Sequence, residues 1–348
     1  MQAALLCYCR AGFEPELAAE LTDRAAGAGL AGYARTRRGD GYLLFHCEDA
    51  QALSQAVPWR AMVFARQKLA LVAELPGLDP RDRITPMLEA LAGKGRWGEL
   101  WVEHPDSDAG KPLSALARSF GNALRPALRR RGFLSEKPDP RLPRLHVCLL
   151  AGDHLLLARA DPGDSAPWPL GIPRLRLHAD APSRSALKLE EALLTLLTAR
   201  EREALLRPGM RAADLGAAPG GWTWVLTRHH IHVTAIDNGP MKPALLDSGL
   251  VTHRREDGFR WVPERTLDWM VCDMVDQPRR VAARMGEWFA NEWCRHAIFN
   301  LKLPMKKRWQ ETRDCLALFT GTAGRPLDVR ARQLYHDREE ITVFATGT

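Results

Sequence analysis

The segment Ala212-Ala213-Asp214-Leu215-Gly216-Ala217-Ala218-Pro219-Gly220-Gly221-Trp222 restricts the fold more than any other part of the sequence. It is an apolar run that closes on an acidic residue, passes three glycines and enters a helical pattern over Thr223 to Thr227. A strand that turns through glycines into a helix brings backbone N–H groups close to a ligand at the carboxyl edge of a parallel sheet. The segment is not a P-loop, because no Gly-Lys-[Ser/Thr] follows. It also departs from the dinucleotide fingerprint, since Ala218 stands where a second glycine must admit a pyrophosphate and Pro219 comes next. A nucleoside without phosphates remains as the ligand class, and S-adenosylmethionine meets that description.

The surrounding pattern predicts the domain that carries this loop. Ser185 to Leu206 reads as a helix, and Arg211 to Leu215, Ile231 to Ile236, Leu267 to Cys272 and His296 to Leu301 read as strands. Arg330 to Gln333 and Ile341 to Ala345 add strand candidates at the end. Such alternation implies an α/β, Rossmann-like, mostly parallel sheet over residues 183–348. Asp237 follows Asp214 by 23 residues, at the end of the next strand, where a carboxylate accepts hydrogen bonds from ribose hydroxyls. Asp257, in Glu256-Asp257-Gly258-Phe259, is expected to reach an adenine amino group. One aspartate after a strand is equally a loop or helix cap. Three such aspartates within one predicted α/β domain point to a ligand.

Ahead of this domain, residues 1–76 read βαββαβ, with a turn at Gly39-Asp40-Gly41, which predicts a ferredoxin-like α+β module. A second module over 77–160 holds expected helices at Asp79 to Leu91 and Pro112 to Arg131. Its expected strands are Glu99 to Glu103 and a hairpin, Leu145 to Leu150 with His154 to Ala160, folded at Gly152-Asp153. Five prolines between 161 and 182 predict an extended linker and the main domain boundary.

Composition narrows the setting. The 348 residues carry 49 Lys+Arg against 42 Asp+Glu, a net charge of +7. No stretch approaches the roughly 18 apolar residues of a membrane helix, and the first ten residues lack a signal peptide's features, so a cytoplasmic protein is expected. Seven scattered cysteines without a Cys-x-x-Cys pair argue against a disulfide framework and a zinc site. A monomer or weak homodimer is expected.

Four further residues complete a pattern: Lys188 in the opening helix, Asp273 after the strand ending at Cys272, Lys302 after the strand ending at Leu301, and Glu340 before Ile341-Thr342-Val343-Phe344. Lys188 alone is equally a solvated lysine paired with Glu191, and Lys302 part of a basic patch with Lys306, Lys307 and Arg308. Together, Lys188, Asp273, Lys302 and Glu340 resemble the Lys-Asp-Lys-Glu tetrad of the FtsJ-like ribose 2′-O-methyltransferases, and the glycine loop is similar to their cofactor loop. With its first half included, the chain resembles a bacterial family that methylates a cytidine ribose in 23S ribosomal RNA. The resemblance implies S-adenosylmethionine as cofactor, contacted by Ser185, Asp214, Gly216, Ala218, Pro219, Gly220, Gly221, Asp237, Asp257 and Asp273. It implies Lys302 as the base, Lys188 lowering the pKa of Lys302 and orienting the hydroxyl, and Asp273 and Glu340 positioning the lysines. Lysine suits that task where arginine does not, because arginine stays protonated. Methyl transfer disperses the sulfonium charge, so no metal is expected. Ala218 departs from the family, in which cysteine is common there; the backbone contacts survive the change.

The partner is expected to be 23S ribosomal RNA. Arg118 to Arg144 holds eight basic and two acidic residues, a net +6. Arg118, Arg125 and Arg129 share one helix face, with Arg130 and Arg131 beside them, and Lys306, Lys307 and Arg308 form a second cluster near Lys302. The region from Asp79 to Ala160 resembles a THUMP domain, a module of RNA-modifying enzymes. Trp222, Trp224 and Trp261 are expected to pack rather than stack on bases. A base N-methyltransferase would carry [Asp/Asn]-Pro-Pro-aromatic where Asp273-Met274-Val275 stands, and a cytosine C5 enzyme needs a placed cysteine, whereas Cys272 lies inside a strand. A non-catalytic RNA-binding or assembly factor that keeps the fold is the rival from another class.

Overall fold

The computed structural model describes residues 4–347, which divide into two compact units, 4–173 and 174–347. The first unit opens with β1 (Ala4–Tyr8), α1 (Glu14–Gly27), β2 (Gly32–Arg35), β3 (Tyr42–Cys47), α2 (Ala50–Ala56) and β4 (Gln67–Leu75). It continues through α3 (Ile84–Leu91), β5 (Glu99–Glu103), α4 (Ser114–Arg130), β6 (Arg144–Ala151) and β7 (His154–Ala160). The βαββαβ order is present, but its strands do not stand alone. β4 pairs with β1 on one side and β7 on the other, so one sheet runs β2-β3-β1-β4-β7-β6-β5. α3 begins at Ile84 rather than Asp79, and α4 begins at Ser114 after a single 3₁₀ turn, Lys111–Leu113.

The proline-rich stretch docks its first part on this sheet. Ala166 exchanges two hydrogen bonds with the Gln67 side chain, at 2.8 and 3.2 Å. Asp164 accepts from Trp59 N at 2.6 Å and from the buried Lys68 ammonium at 2.5 Å. Leu170 N donates to the buried Glu103 carboxylate at 2.6 Å.

The second unit comprises α5 (Ala186–Leu196), α6 (Ala199–Leu205), β8 (Arg211–Leu215), α7 (Gly221–Thr227), β9 (His232–Ile236), α8 (Pro243–Leu246) and β10 (Val251–Arg254). β11 (Leu267–Cys272), α9 (Pro278–Ala290), β12 (Cys294–Lys302), α10 (Arg308–Ala323), β13 (Leu327–Arg332) and β14 (Glu340–Gly347) complete it. The sheet order is β10-β9-β8-β11-β12-β14-β13; the first five strands are parallel, and β14 runs antiparallel to both β12 and β13. The order reverses direction at β8, which opens the crevice where α/β sheets bind ligands.

Two sequence expectations need correction here. Ser185 to Leu206 is not one helix. Thr198 accepts from Glu201 N at 3.2 Å while the Glu201 carboxylate accepts from Thr198 N at 2.6 Å, a capping box that starts a new helix. β10 was not expected, because this four-residue edge strand has no fully buried position to mark it.

One face of the sheet packs Ile298, Trp269 and Phe344 against Leu189 and Leu193 of α5 and Trp222 and Val225 of α7. The other face carries Phe299, whose ring lies 5.1 Å from that of Phe319 on α10. Gly286 of α9 sits where α10 comes closest: a Cβ there would lie 2.6 Å from Thr322 Cβ and 2.8 Å from Phe319 O. Helix propensity favours alanine over glycine by about 1 kcal/mol, and overpacking against a backbone oxygen opposes it by about 1–3 kcal/mol. Gly286→Ala is therefore expected to lower the urea midpoint of the second unit; a raised midpoint would show that α9 and α10 move apart freely.

Candidate active site

β8 ends on Leu215, and the glycine loop leaves it along the crevice. Gly216 has φ +78° and Gly220 φ +115°, both in the region that disfavours side chains, and a Cβ on Gly220 would meet Leu245 at 2.2 Å. Gly221 opens α7 against the start of α5, where a Cβ would lie 2.1 Å from Ser185 Oγ and 2.5 Å from Ser183 Oγ. The two hydroxyls are themselves 2.6 Å apart, and Trp222 Nε1 donates to Ser185 O at 3.1 Å. The Ala218–Pro219 peptide is cis.

Acidic side chains hold this loop in different ways. Asp237, after β9, accepts from Ala218 N at 3.0 Å and from Gly239 N at 2.7 Å, clamping the loop to the next turn. Asp257 accepts from Phe259 N at 2.9 Å, and the adjacent Gly258 packs against Met274 and Leu215, which brings this turn to the loop. Asp214 is buried; Oδ2 accepts from Thr223 Oγ1 at 2.6 Å, and Oδ1 has no hydrogen-bond partner among the described residues. Burial pushes its carboxyl up to about 7, the Thr223 bond opposes this, and the charge of Asp273 adds to it.

Beside the loop, three of the four expected tetrad residues meet directly. Lys188 projects from α5, Asp273 follows β11, and Glu340 begins β14. The Lys188 ammonium forms a close ion pair with Glu340 and lies 3.5 Å from Asp273 Oδ1. Burial works against this ammonium, but Asp273 and Glu340 outweigh it and hold its pKa above the ordinary lysine value. Asp273 is moved in the opposite sense: burial raises its carboxyl, with Lys188 and the Asn300 bond opposing.

Lys302 is the fourth member. It opposes Glu340 in the β12/β14 ladder, so the two side chains leave the same face of the sheet. It is exposed, and its side chain enters no hydrogen bond or ion pair among the described residues.

Sequence reasoning missed the layer beneath these four. Asn300 Nδ2 donates to Asp273 Oδ1 at 2.7 Å, and Thr342 Oγ1 lies 2.7 Å from Asn300 Oδ1. Thr342 also lies 3.1 Å from Oδ2 of the buried Asp337. Asn300 had a legible signal, a polar residue in the apolar strand Ala297-Ile298-Phe299-Asn300-Leu301 and two positions before Lys302. Asp337, in a loop, had none.

Comparison with known proteins fits this arrangement. Residues 1–69 match the RlmM ferredoxin-like domain, 82–160 the N-terminal model of ribosomal RNA large subunit methyltransferase M, and 181–285 the FtsJ-like methyltransferase model. The chain is 70% identical over 343 residues to the ribosomal RNA large subunit methyltransferase M of Xanthomonas oryzae pv. oryzae (strain MAFF 311018), covering 99% of each chain. Its identity to the protein of that name from Stenotrophomonas maltophilia (strain R551-3) is 71% over 342 residues, covering 98% of this chain and 96% of the other. The chain belongs to the ribosomal RNA large subunit methyltransferase M family.

The arginines expected on the nucleic-acid face of this family member separate into two groups. Arg118, Arg130 and Arg131 are exposed. Arg125 and Arg129 are partly buried and bound to their own unit: Arg125 donates to Leu100 O at 3.4 Å, and Arg129 to Ser135 O at 3.3 Å and Glu136 O at 2.5 Å. Arg141 pairs with Asp139, and Arg144 lies over the Trp101 ring at 3.5 Å. Of the second cluster, Lys306 and Lys307 are exposed, whereas Arg308 is buried and paired with Glu339. Trp222 is buried, as expected of a packing residue. Among the described residues, no group of His, Cys, Asp and Glu has the makings of a metal site.

Asp214 gives this family member a measurable pH signature. Its carboxyl titrates near 3.8 when unfolded and about 7 when folded, so between these values the folded chain keeps a proton that the unfolded chain has shed. Its contribution to stability therefore falls as pH rises through that window and is fully unfavourable above it. Asparagine does not titrate. Asp214→Asn is expected to gain on the wild type by about 3 kcal/mol between pH 5 and pH 8, at about 1.4 kcal/mol per pH unit. A difference in urea unfolding that stays constant with pH would mean that Asp214 is ionised in the folded protein.

Proposed function

We propose that the protein transfers a methyl group from S-adenosylmethionine to the ribose 2′-hydroxyl of a cytidine in 23S ribosomal RNA, with Lys302 as the general base. One observation carries the assignment of the base. Of the two lysines at the cluster, Lys188 is fixed as a cation between Asp273 and Glu340, while Lys302 is uncommitted and opposes Glu340 across the strand pair. A ribose hydroxyl is a poor nucleophile at neutral pH, so it must be placed and must lose its proton as the new bond forms. Lys302 Nζ takes that proton, and the Lys188 ammonium orients the hydroxyl oxygen.

The glycine loop suits the cofactor. When bound, S-adenosylmethionine supplies a methyl group on a sulfonium centre. Gly216, Ala218, Pro219, Gly220 and Gly221 would offer backbone to it, and Ser185 and Asp273 would border it. Asp237 and Asp257 would hold its ribose and adenine. The partnerless Oδ1 of Asp214 fits a donor carried by a ligand or its ordered water.

On the acceptor side, a cavity of 590 Å³ that shares Lys302 with the cluster is lined by the apolar Val275, Pro278, Leu303 and Pro304 and by the polar Asp276, Gln277, Arg279 and Glu311, a size suited to a nucleoside. Lys306 and Lys307 follow on the same loop and would meet phosphates.

Lys302→Ala is expected to abolish transfer of labelled methyl groups to unmethylated 23S ribosomal RNA while leaving S-adenosylmethionine affinity within about 3-fold by calorimetry. Lys302→Arg should fail equally, since a guanidinium stays protonated. Wild-type rates in either variant would exclude Lys302 as the base.

RNA binding is testable through salt. Replacing Arg118, Arg130 and Arg131 together with glutamine should flatten the salt dependence of binding by about 0.7–0.9 for each phosphate left without its arginine. Replacing Arg125 and Arg129 should instead lower the stability of the first unit. An unchanged slope in the triple variant would remove this face from the RNA interface.

A further inference from the structure

In the layer beneath the tetrad a single hydroxyl, that of Thr342, lies within hydrogen-bond reach of two acceptors, Asn300 Oδ1 and the Asp337 carboxyl. Asn300 Nδ2 donates to Asp273 Oδ1 at 2.7 Å, which turns the amide oxygen of Asn300 away from the site. That oxygen is 2.7 Å from Thr342 Oγ1, and only the Thr342 hydroxyl hydrogen can lie between them. Thr342 has no second hydrogen, yet its oxygen is 3.1 Å from Asp337 Oδ2 and 3.4 Å from Asp337 Oδ1. Two bare oxygens at that distance repel, so the hydrogen between them belongs to Asp337.

We propose that Asp337 is a carboxylic acid at neutral pH and acts, through Thr342 and Asn300, as a positioning residue that fixes the orientation of Asp273 and thereby of the Lys188 ammonium. Asp337 is 1% exposed, which disfavours a charge there, whereas the bond that Oδ2 accepts from Leu334 N at 2.9 Å favours one. Burial, and then the charge of Glu340, push its carboxyl well above the usual range; Glu191 adds to this, and Lys188 and the Leu334 bond oppose it. The chain of bonds runs one way: Asp337 donates to Thr342, Thr342 to Asn300, and Asn300 to Asp273. A charged Asp337 would reverse the first bond, release Asn300 to flip, and free Asp273 from the only amide that holds it among the described residues.

The consequence for catalysis rests on the methyl-transfer reading above. A loosened Asp273 lets Lys188 swing toward Glu340 alone, which misplaces the cation that orients the ribose hydroxyl, and misplacement of about 1 Å costs about 100-fold in rate.

The experiment compares Thr342→Val, Thr342→Ser, Asp337→Ala and Asp337→Asn. It measures single-turnover methyl transfer to unmethylated 23S ribosomal RNA at saturating S-adenosylmethionine, with cofactor and RNA affinities measured separately. Thr342→Val and Asp337→Ala are expected to lose about 10–100-fold in rate, with both affinities within about 3-fold. Thr342→Ser keeps the hydroxyl and Asp337→Asn supplies an amide donor in place of the acid, so each should recover most of the rate. A Thr342→Val enzyme at the wild-type rate, or an Asp337→Asn enzyme as slow as Asp337→Ala, overturns the proposal.

A readout independent of turnover accompanies these. The infrared difference between wild type and Asp337→Asn at pH 7 should contain the carbonyl stretch of a protonated carboxyl; carboxylate bands alone would overturn the assignment, even if a rate variant failed to fold. A wild-type protein that transfers no methyl group would sink the methyl-transfer reading, while the infrared difference would still decide the protonation of Asp337.

Discussion

The ammonium of Lys188 between Asp273 and Glu340 is the charged contact around which the polar cluster of the second unit is built. A helix and two strands, separated by up to 152 positions of chain, supply these side chains, and each is about four-fifths buried. A partly buried cation is tolerable only because two carboxylates share it, and removing one partner of such a cluster typically costs about 3–5 kcal/mol. The two lysines differ in their partners: Lys188 is clasped by two carboxylates, whereas Lys302 enters no hydrogen bond or ion pair among the described residues.

Beneath that contact, the rigidity comes from neutral hydrogen bonds. Asn300 and Thr342 sit opposite each other in the β12/β14 ladder, and Lys302 and Glu340 occupy the next pair on the same face. One strand pairing therefore sets both the charged layer and the polar layer that supports it. Because the side-chain period of a strand is two, a slip of either strand by one residue would turn its two members of this set to the opposite face and break both pairs.

The first unit shows why charge counted along a chain overstates what a partner meets. Of the eight basic residues between Arg118 and Arg144, Arg125 and Arg129 bind backbone carbonyls, Arg141 is held by Asp139, and Arg144 lies over Trp101. Arg125 and Arg129 were grouped with Arg118 by helical spacing, but spacing does not register that nearby carbonyls of β5 and of the turn after α4 capture the guanidinium groups. Arg308 misled in the same way, since its place in a basic run hid a buried pairing with Glu339.

The sequence by itself determined the glycine loop and the strand ends that carry Asp214, Asp237 and Asp273, because positive φ demands glycine and an apolar run marks where a strand stops. Lys188, Lys302 and Glu340 stood out only through resemblance to a known family. The capping box that starts α6 at Thr198 is equally local, yet it lies inside a continuous helical pattern over Ser185 to Leu206. Only the tertiary structure decided that Lys188 is paired with two carboxylates while Lys302 is exposed, which arginines face outward, and that Thr342 and Asp337 stand behind Asn300. Burial and hydrogen-bond direction are properties of distant segments brought together, and no local pattern encodes them.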